Sequence, residues 1–242
     1  MKEKVVSIVI PFYNKFHLTA TRLQELYMYA PEGHEVILVN DGSTDDVASQ
    51  VAYWQKMANC PFKVRYTVHA ENMGFPESMN HGARMAKGDV LVFLSNDVEI
   101  GCDFIDPILN KINDTMLIGA RIIDWKAGWN EFVFGGKPMI VPYLEGWFIA
   151  ATRTVWDDLG GFDPRYSPYC VEDIDLSATA VHKGYKLELL YPNLLSPKMG
   201  AKQPLRHIGA QSVPYGGQRD EITKLNKEKF IRKWEGILSE QN

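Results

Sequence analysis

The chain has 242 residues, 45% of them hydrophobic and 12% aromatic, which is enough to bury one substantial core, or a core with a small lobe. A formal net charge of -4 and a pI near 5.9 exclude the overall positive field that draws nucleic acid or an anionic membrane. Any anionic ligand must therefore be captured locally.

Val5 to Phe12 is the first apolar stretch. It is interrupted by Pro11 and has no small-residue cleavage site behind it, so it reads as a buried strand rather than a signal sequence. A helical pattern follows, with Phe16, Ala20, Leu23 and Tyr27 on one face and Pro31 and Gly33 ending it. Glu35 to Asn40 predicts a second strand. Ser43 to Asp46 offer N-cap chemistry to a helix that presents Val47, Val51, Trp54 and Ala58 inward. A third strand is expected over Lys63 to His69, a helix over Pro76 to Ala86 and a fourth strand over Asp89 to Leu94. This alternation predicts an α/β fold, a mainly parallel Rossmann-like sheet with helices on both faces.

Beyond residue 100 the texture changes to shorter elements rich in Gly, Trp and Pro. The expected organisation is one domain over residues 1–242, with a nucleotide-binding half (1–99), a smaller lobe (100–219) and a C-terminal helix (220–242). In that helix Phe230, Trp234, Ile237 and Leu238 recur at helical spacing among Lys224, Lys227, Lys229, Arg232 and Lys233. A docking helix with a solvated basic face is the plainer reading, and contact with the inner face of a membrane is the alternative. No apolar run reaches the roughly 18 to 20 residues that cross a bilayer. Cys60, Cys102 and Cys170 form no C-x-x-C pair, which fits a reduced, cytoplasmic compartment.

In doubly wound sheets ligands sit beyond the carboxyl ends of the strands. Those ends here carry Pro11-Phe12-Tyr13-Asn14, Asn40-Asp41-Gly42-Ser43, Glu71-Asn72-Met73-Gly74 and Ser95-Asn96-Asp97. No G-x-G-x-x-G follows the first strand and no G-x-x-x-x-G-K-[ST] occurs, which disfavours dinucleotide oxidoreductases and P-loop enzymes.

The segments VSIVIPFYN (6–14), VNDGSTDD (39–46), ENMGFPESMNHGARMAKGDVLVFLSNDVEI (71–100), LGGFDPRYSPYCVEDIDL (159–176) and HIGAQS from His207 occur in one order along the chain. In that order the sequence resembles glycosyltransferase family 2, inverting enzymes of the A-type glycosyltransferase fold. The resemblance implies that Asp41 reads the nucleobase or ribose of a UDP-, GDP- or dTDP-linked sugar. It places Pro11 and Tyr13 in the base pocket, Asn72 near the same group, and Asp45 at a helix cap. Ser95 and Asn96 fall in a reduced D-x-D motif that also faces the nucleotide sugar. Asp97, its last carboxylate, and His207 would hold a divalent metal, Mn2+ or Mg2+.

Glu172, Asp173 and Asp175 crowd one helical turn, where N-terminal capping accounts for one or two carboxylates but not comfortably for three. The resemblance implies Asp173 as general base, with Glu172 beside the acceptor and Asp175 structural. Trp147, within Glu145-Gly146-Trp147, matches a stretch that lies near the donor sugar in the family, so the resemblance makes it a sugar-contacting residue, grouped with Glu172 on the acceptor side; core packing is the equal alternative. The acceptor class, whether glycan, lipid-linked or protein, is not readable. The missing Q-x-x-R-W motif of processive synthases points to single-sugar transfer. A nucleotidyltransferase and a non-catalytic binding module are the competing readings. The first lacks its Gly-rich, Arg-containing loop, and the second is opposed by the joint presence of Asp97, Asp173 and His207.

Overall fold

A computed structural model describes residues 4–192, 204–209 and 217–238. In chain order the elements are β1 (Val6–Phe12), α1 (Phe16–Tyr29), β2 (His34–Asn40), α2 (Ala48–Lys56), β3 (Phe62–Val68), α3 (Phe75–Met85), β4 (Val90–Leu94), β5 (Val98–Ile100), α4 (Ile105–Lys111), β6 (Met116–Gly119), β7 (Ile122–Ile123), β8 (Glu131–Phe134), β9 (Lys137–Ile140), β10 (Tyr143–Leu144), β11 (Phe148–Thr152), α5 (Arg153–Leu159), α6 (Glu172–His182), β12 (Lys186–Leu189), β13 (Leu205–His207) and α7 (Gln218–Leu238).

Seven strands form the central sheet in the order β12-β6-β11-β4-β1-β2-β3. The β4-β1-β2-β3 portion is parallel throughout, and β11 runs antiparallel between β4 and β6. After β3 the chain returns to the other side of β1, so the strand order reverses between β1 and β4. That reversal opens the crevice in which ligands of such sheets bind.

Both faces of the sheet are covered, which is why β1, β2 and β4 read as nearly unbroken apolar runs. Ile8, Ile10, Val36, Leu38 and Val92 face α1, α2 and α4. The alternate residues Val9, Ile37, Val39, Leu91 and Phe93 face α3, α5 and α6. Side chains of this kind are worth about 1.5–3 kcal/mol each when buried, against about 1 kcal/mol for a helix cap. Among the α-helices with a described cap only α5 has a side-chain N-cap bond, from Thr152, so sheet packing rather than capping sets the helices.

Several local expectations are corrected. The Ser43–Asp46 cluster does not cap α2, which starts at Ala48 with Val47 at the cap position and no side-chain bond. Ser43 Oγ instead accepts from Asn14 N–H and Thr44 donates to Asn14 Oδ1, tying together the loops after β1 and β2. Asp45 and Ala58 are exposed. In α1, Leu26 takes the buried position and Tyr27 is 44% exposed.

The strands β6, β11 and β12 from the second half extend the same sheet as β1 to β4. A third apolar cluster joins Phe132, Phe134, Tyr166, Val171 and Ile174 to Phe230 and Trp234 of α7. The C-terminal helix therefore docks as expected from Phe230 and Trp234, while Ile237 stays 38% exposed. Among the described residues no helix is long and apolar enough to cross a membrane.

Candidate active site

Two groups of side chains gather at the carboxyl ends of the parallel strands. The first centres on Asp41, one residue past β2 and 5% exposed. Its Oδ1 accepts from Met73 N–H at 2.8 Å and lies 2.8 Å from His69 Nδ1, and its Oδ2 accepts from Gly74 N–H at 2.9 Å. His69 Nε2 in turn meets His81 Nδ1 at 2.7 Å, the two rings stacked 9° from parallel. A carboxylate has about four lone-pair sites, and three are in use here. Gly42 makes this packing possible: with φ +73°, its α-carbon approaches the Glu71–Asn72 peptide so closely that a Cβ would stand 2.5 Å from Glu71 C.

The second group is built where β4 ends. Pairing of β5 with β13 sets His207 opposite Val98, and Ile208 N–H donates to Asp97 O. His207 Nε2 is thereby held 3.3 Å from Asp97 Oδ1, and Ser95 Oγ donates to the same oxygen at 2.6 Å. Burial pushes the Asp97 carboxyl up, but the His207 and Ser95 hydrogen bonds outweigh it and hold the group below the usual carboxylate range. Trp147 lies flat on the His207 ring, centroids 5.4 Å apart and planes 12° from parallel. Trp147 O also accepts from Ser95 N–H.

The same turn reaches the third carboxylate. Gly146 N–H donates to Asp173 Oδ2 at 2.9 Å, and Ile174 N–H donates to Asp173 Oδ1. Trp147 Nε1 donates to Glu145 Oε2, which Arg121 approaches at 3.5 Å. Residues 145–147 thus connect the Asp97–His207 pair to the N-terminus of α6. Burial, opposed by the Gly146 and Ile174 N–H bonds and supported by the Glu145 charge, lifts Asp173 to about 6. Burial and the adjacent Asp173 charge lift Glu172 well above its ordinary value.

Of the residues singled out in the sequence, Ser95, Asp97, Trp147, Asp173 and His207 are brought together. Asp41 stands in the separate group beyond β2. Pro11 is buried inside β1, while Tyr13 and Asn72 are exposed on the adjoining loops. Two expected contact residues turn inward. Asn96 is 3% exposed and donates to Thr19 of α1 at 3.3 Å; Glu172 is 7% exposed, and its Oε2 has no hydrogen-bond partner among the described residues. Asp175 is structural: Tyr166 Oη, Lys233 Nζ and Trp234 Nε1 all donate to it. Residues 210–212, the end of the HIGAQS segment, lie outside the described residues.

Sequence reasoning passed over His69, His81, Glu145 and Gly146. His69 was accessible to the strand-end rule, being the first residue after β3. Gly146 acts through its backbone and leaves no side-chain signal.

Asp97 and His207 offer oxygen and nitrogen donors suited to a divalent ion, with Asp97 held ionised. They are two ligands only. Among the described residues no group of three or more His, Cys, Asp or Glu side chains could hold a metal, so diphosphate and water would have to complete the coordination.

The sequence model of Glycosyl transferase family 2 matches residues 7–172. An uncharacterized glycosyltransferase of Rickettsia bellii is 29% identical over 97 residues, which is 40% of this chain and 13% of that protein. The chain covers 13%, 32% and 40% of the lengths of three curated relatives. Among solved structures, the mannosyltransferase PcManGT from Pyrobaculum calidifontis, in complex with GDP-Man and Mn2+, superposes with a TM-score of 0.60 at 19% identity, covering 76% of this chain and 54% of that one. GalNAc-T7 with UDP, GalNAc and Mn2+ gives 0.61 at 19% identity, covering 78% of this chain and 42% of that one. Both have the A-type glycosyltransferase fold.

Proposed function

Since the chain belongs to glycosyl transferase family 2, we propose that it moves a single sugar from a nucleotide-diphosphate sugar to an acceptor hydroxyl, inverting the anomeric centre, with Asp173 as general base. The observation that carries this reading is the Glu145-Gly146-Trp147 turn, which holds Asp173 by a backbone N–H and stacks on the histidine that faces Asp97.

In this reading the Asp173 carboxylate takes the acceptor's proton as the hydroxyl oxygen bonds to the anomeric carbon. The bond from that carbon to the diphosphate oxygen breaks on the opposite side, and the pair of electrons leaves with the diphosphate. A group lifted to about 6 is still ionised at neutral pH and is a stronger base than an ordinary aspartate. Burial and the Asp173 charge raise the adjacent Glu172 as well.

Asp97 and His207 are the residues that would hold a divalent ion, Mn2+ or Mg2+, whose charge would offset that of the leaving diphosphate. The Mn2+ in both structural neighbours supports this. Asp41 has one lone-pair site left for a nucleobase or ribose, and Tyr13 is exposed beside it. Residues 1–99 then supply the donor half and 100–219 the acceptor side, with Asp97 at the seam. The acceptor is a glycan, lipid-linked or protein hydroxyl, and the cytoplasm is the compartment.

The test is a melting-temperature screen against UDP, GDP, dTDP and CDP with and without Mn2+, followed by transfer assays with the matching sugars. A metal-dependent rise with one nucleotide, and transfer abolished in Asp173→Asn, are expected. No rise with any nucleotide, in the presence of a folded protein, would overturn the donor assignment.

A further inference from the structure

The catalytic turn is entered through two residues that strongly disfavour the backbone conformation they hold. Cys170 has φ 71° and Val171 φ 78°, a left-handed pair in which the second is β-branched and neither is glycine. Such conformations persist only where surrounding contacts impose them. Val171 is the N-cap of α6, so the pair sets the direction in which Glu172 and Asp173 leave the loop.

The contacts come from α7. Asn226 is 1% exposed, and its amide nitrogen donates to Tyr166 O at 2.8 Å, Tyr169 O at 2.9 Å and Cys170 O at 3.0 Å. An amide has two N–H bonds, so three acceptors at these distances share them, and all three carbonyls belong to the loop that ends at Val171. The orientation of the amide is fixed from the other side, where Lys229 Nζ donates to Asn226 Oδ1 at 2.8 Å. The helix itself is anchored elsewhere, by Phe230 and Trp234 in the third apolar cluster and by the Lys233 and Trp234 bonds to Asp175. Asn226 is thus not the only anchor of α7. Its bonds serve the loop.

We infer that Asn226 is a positioning residue for transfer: from a helix beyond the matched family segment, it clamps the left-handed Cys170–Val171 turn and so aims Asp173. The inference rests on the proposed role of Asp173. Without the clamp the loop relaxes toward ordinary backbone angles, and a displacement of the base by about 1 Å is enough to cost about 10²-fold in rate.

The full-length chain is tested as Asn226→Leu, of similar volume, and Asn226→Ser, which restores one donor. The first readout is alkylation of Cys170 by iodoacetamide, followed by mass spectrometry, with Cys60 and Cys102 as internal references. The second is nucleotide release from UDP-glucose, UDP-N-acetylglucosamine and GDP-mannose with Mn2+. The third is the melting-temperature rise given by UDP or GDP with Mn2+. Asn226→Leu is expected to speed Cys170 labelling about 10-fold and cut the turnover number by about 10- to 100-fold, leaving the nucleotide-induced rise and the other two cysteines unchanged. Asn226→Ser should fall between it and the wild type. Unchanged Cys170 labelling would overturn the inference, as would a loss of nucleotide response in proportion to the loss of turnover. Asp173→Asn in parallel separates the two claims. Wild-type turnover in Asn226→Leu beside a dead Asp173→Asn sinks the clamp alone. Wild-type turnover in Asp173→Asn sinks the base assignment, whatever Asn226→Leu does.

Discussion

The backbone N–H of Gly146 points at Asp173, 2.9 Å from its Oδ2, and a methyl group on residue 146 would stand 3.1 Å from the Asp173 Cβ and 3.3 Å from Oδ2. The glycine is required here for close approach. Gly146→Ala must move either the turn or the carboxylate by a few tenths of an ångström. Overpacking of this kind costs about 1 kcal/mol or somewhat more in stability, but the larger effect is expected on turnover, at least about 10-fold down. Nucleotide binding should be untouched, and equal losses in binding and turnover would count against a local effect.

The pH dependence follows from the same carboxylate. As the proposed base Asp173 must be ionised, so kcat/KM should rise through an apparent value of about 6 and fall off below it, reporting the Glu172–Asp173 pair rather than one residue. The stability effect has the opposite sense. A carboxyl whose folded value is raised binds its proton more tightly in the folded state, so its contribution is most favourable at low pH and declines as pH rises toward 6. Asp173→Asn should therefore abolish transfer and weaken the dependence of melting temperature on pH, while its NH2, facing the Gly146 or Ile174 N–H, costs about 1–3 kcal/mol. A pH-rate profile flat from 5 to 8, in a variant-sensitive assay, would sink the assignment.

At the other end of the turn, the proposed function has Asp97 and His207 divide metal binding with the donor diphosphate. Two protein ligands predict weak binding of Mn2+ alone and clear binding with nucleotide present. In Asp97→Asn the metal-dependent part of the nucleotide-induced melting shift should vanish. In His207→Ala it should shrink, with stability itself changed little because His207 is a third exposed. Chelation of the wild type with EDTA should reproduce the Asp97→Asn result. A full shift in EDTA would show the site to work without metal.

The legible part of this protein was its parallel sheet. Strands β1, β2 and β4 are buried on both faces, so their central residues are apolar, and the polar residues just past their carboxyl ends include Asp41, Ser95 and Asp97. Backbone-mediated features were not legible. Gly146 shows nothing in sequence of its bond to Asp173, and the Cys170–Val171 pair contains no glycine to mark a left-handed turn. Asn96 and Glu172 are sequence neighbours of site residues and yet turn inward, because neighbours in a tight turn or helix start point in different directions. The short strands β5 and β13, which bring His207 to Asp97, are 3 residues each and too brief to show a period.

Asp41 offers the sharpest separation of scaffold from site. Its carboxylate accepts from the Met73 and Gly74 N–H groups and meets His69, which itself touches His81. An asparagine keeps the shape but turns an NH2 toward one or more of those donors, leaving buried N–H groups unpaired at about 1–3 kcal/mol. In a chain of this length that is a fall of roughly 2–4 °C in melting temperature per kcal/mol. Because the Met73–Gly74 backbone is also bonded to the loop before α6, through Ser167 Oγ to Met73 O and Phe75 N–H to Pro168 O, the damage should spread from nucleotide binding to turnover. Asp41→Asn is therefore expected to lose nucleotide response, stability and turnover together, unlike Gly146→Ala, which loses turnover almost alone. His81→Ala, which removes only the outer end of the chain, should keep the fold and weaken nucleotide binding modestly, and a melting curve with nucleotide present distinguishes the two. Normal nucleotide response in Asp41→Asn would assign the residue to the scaffold alone and move the base pocket toward Tyr13 and Asn72.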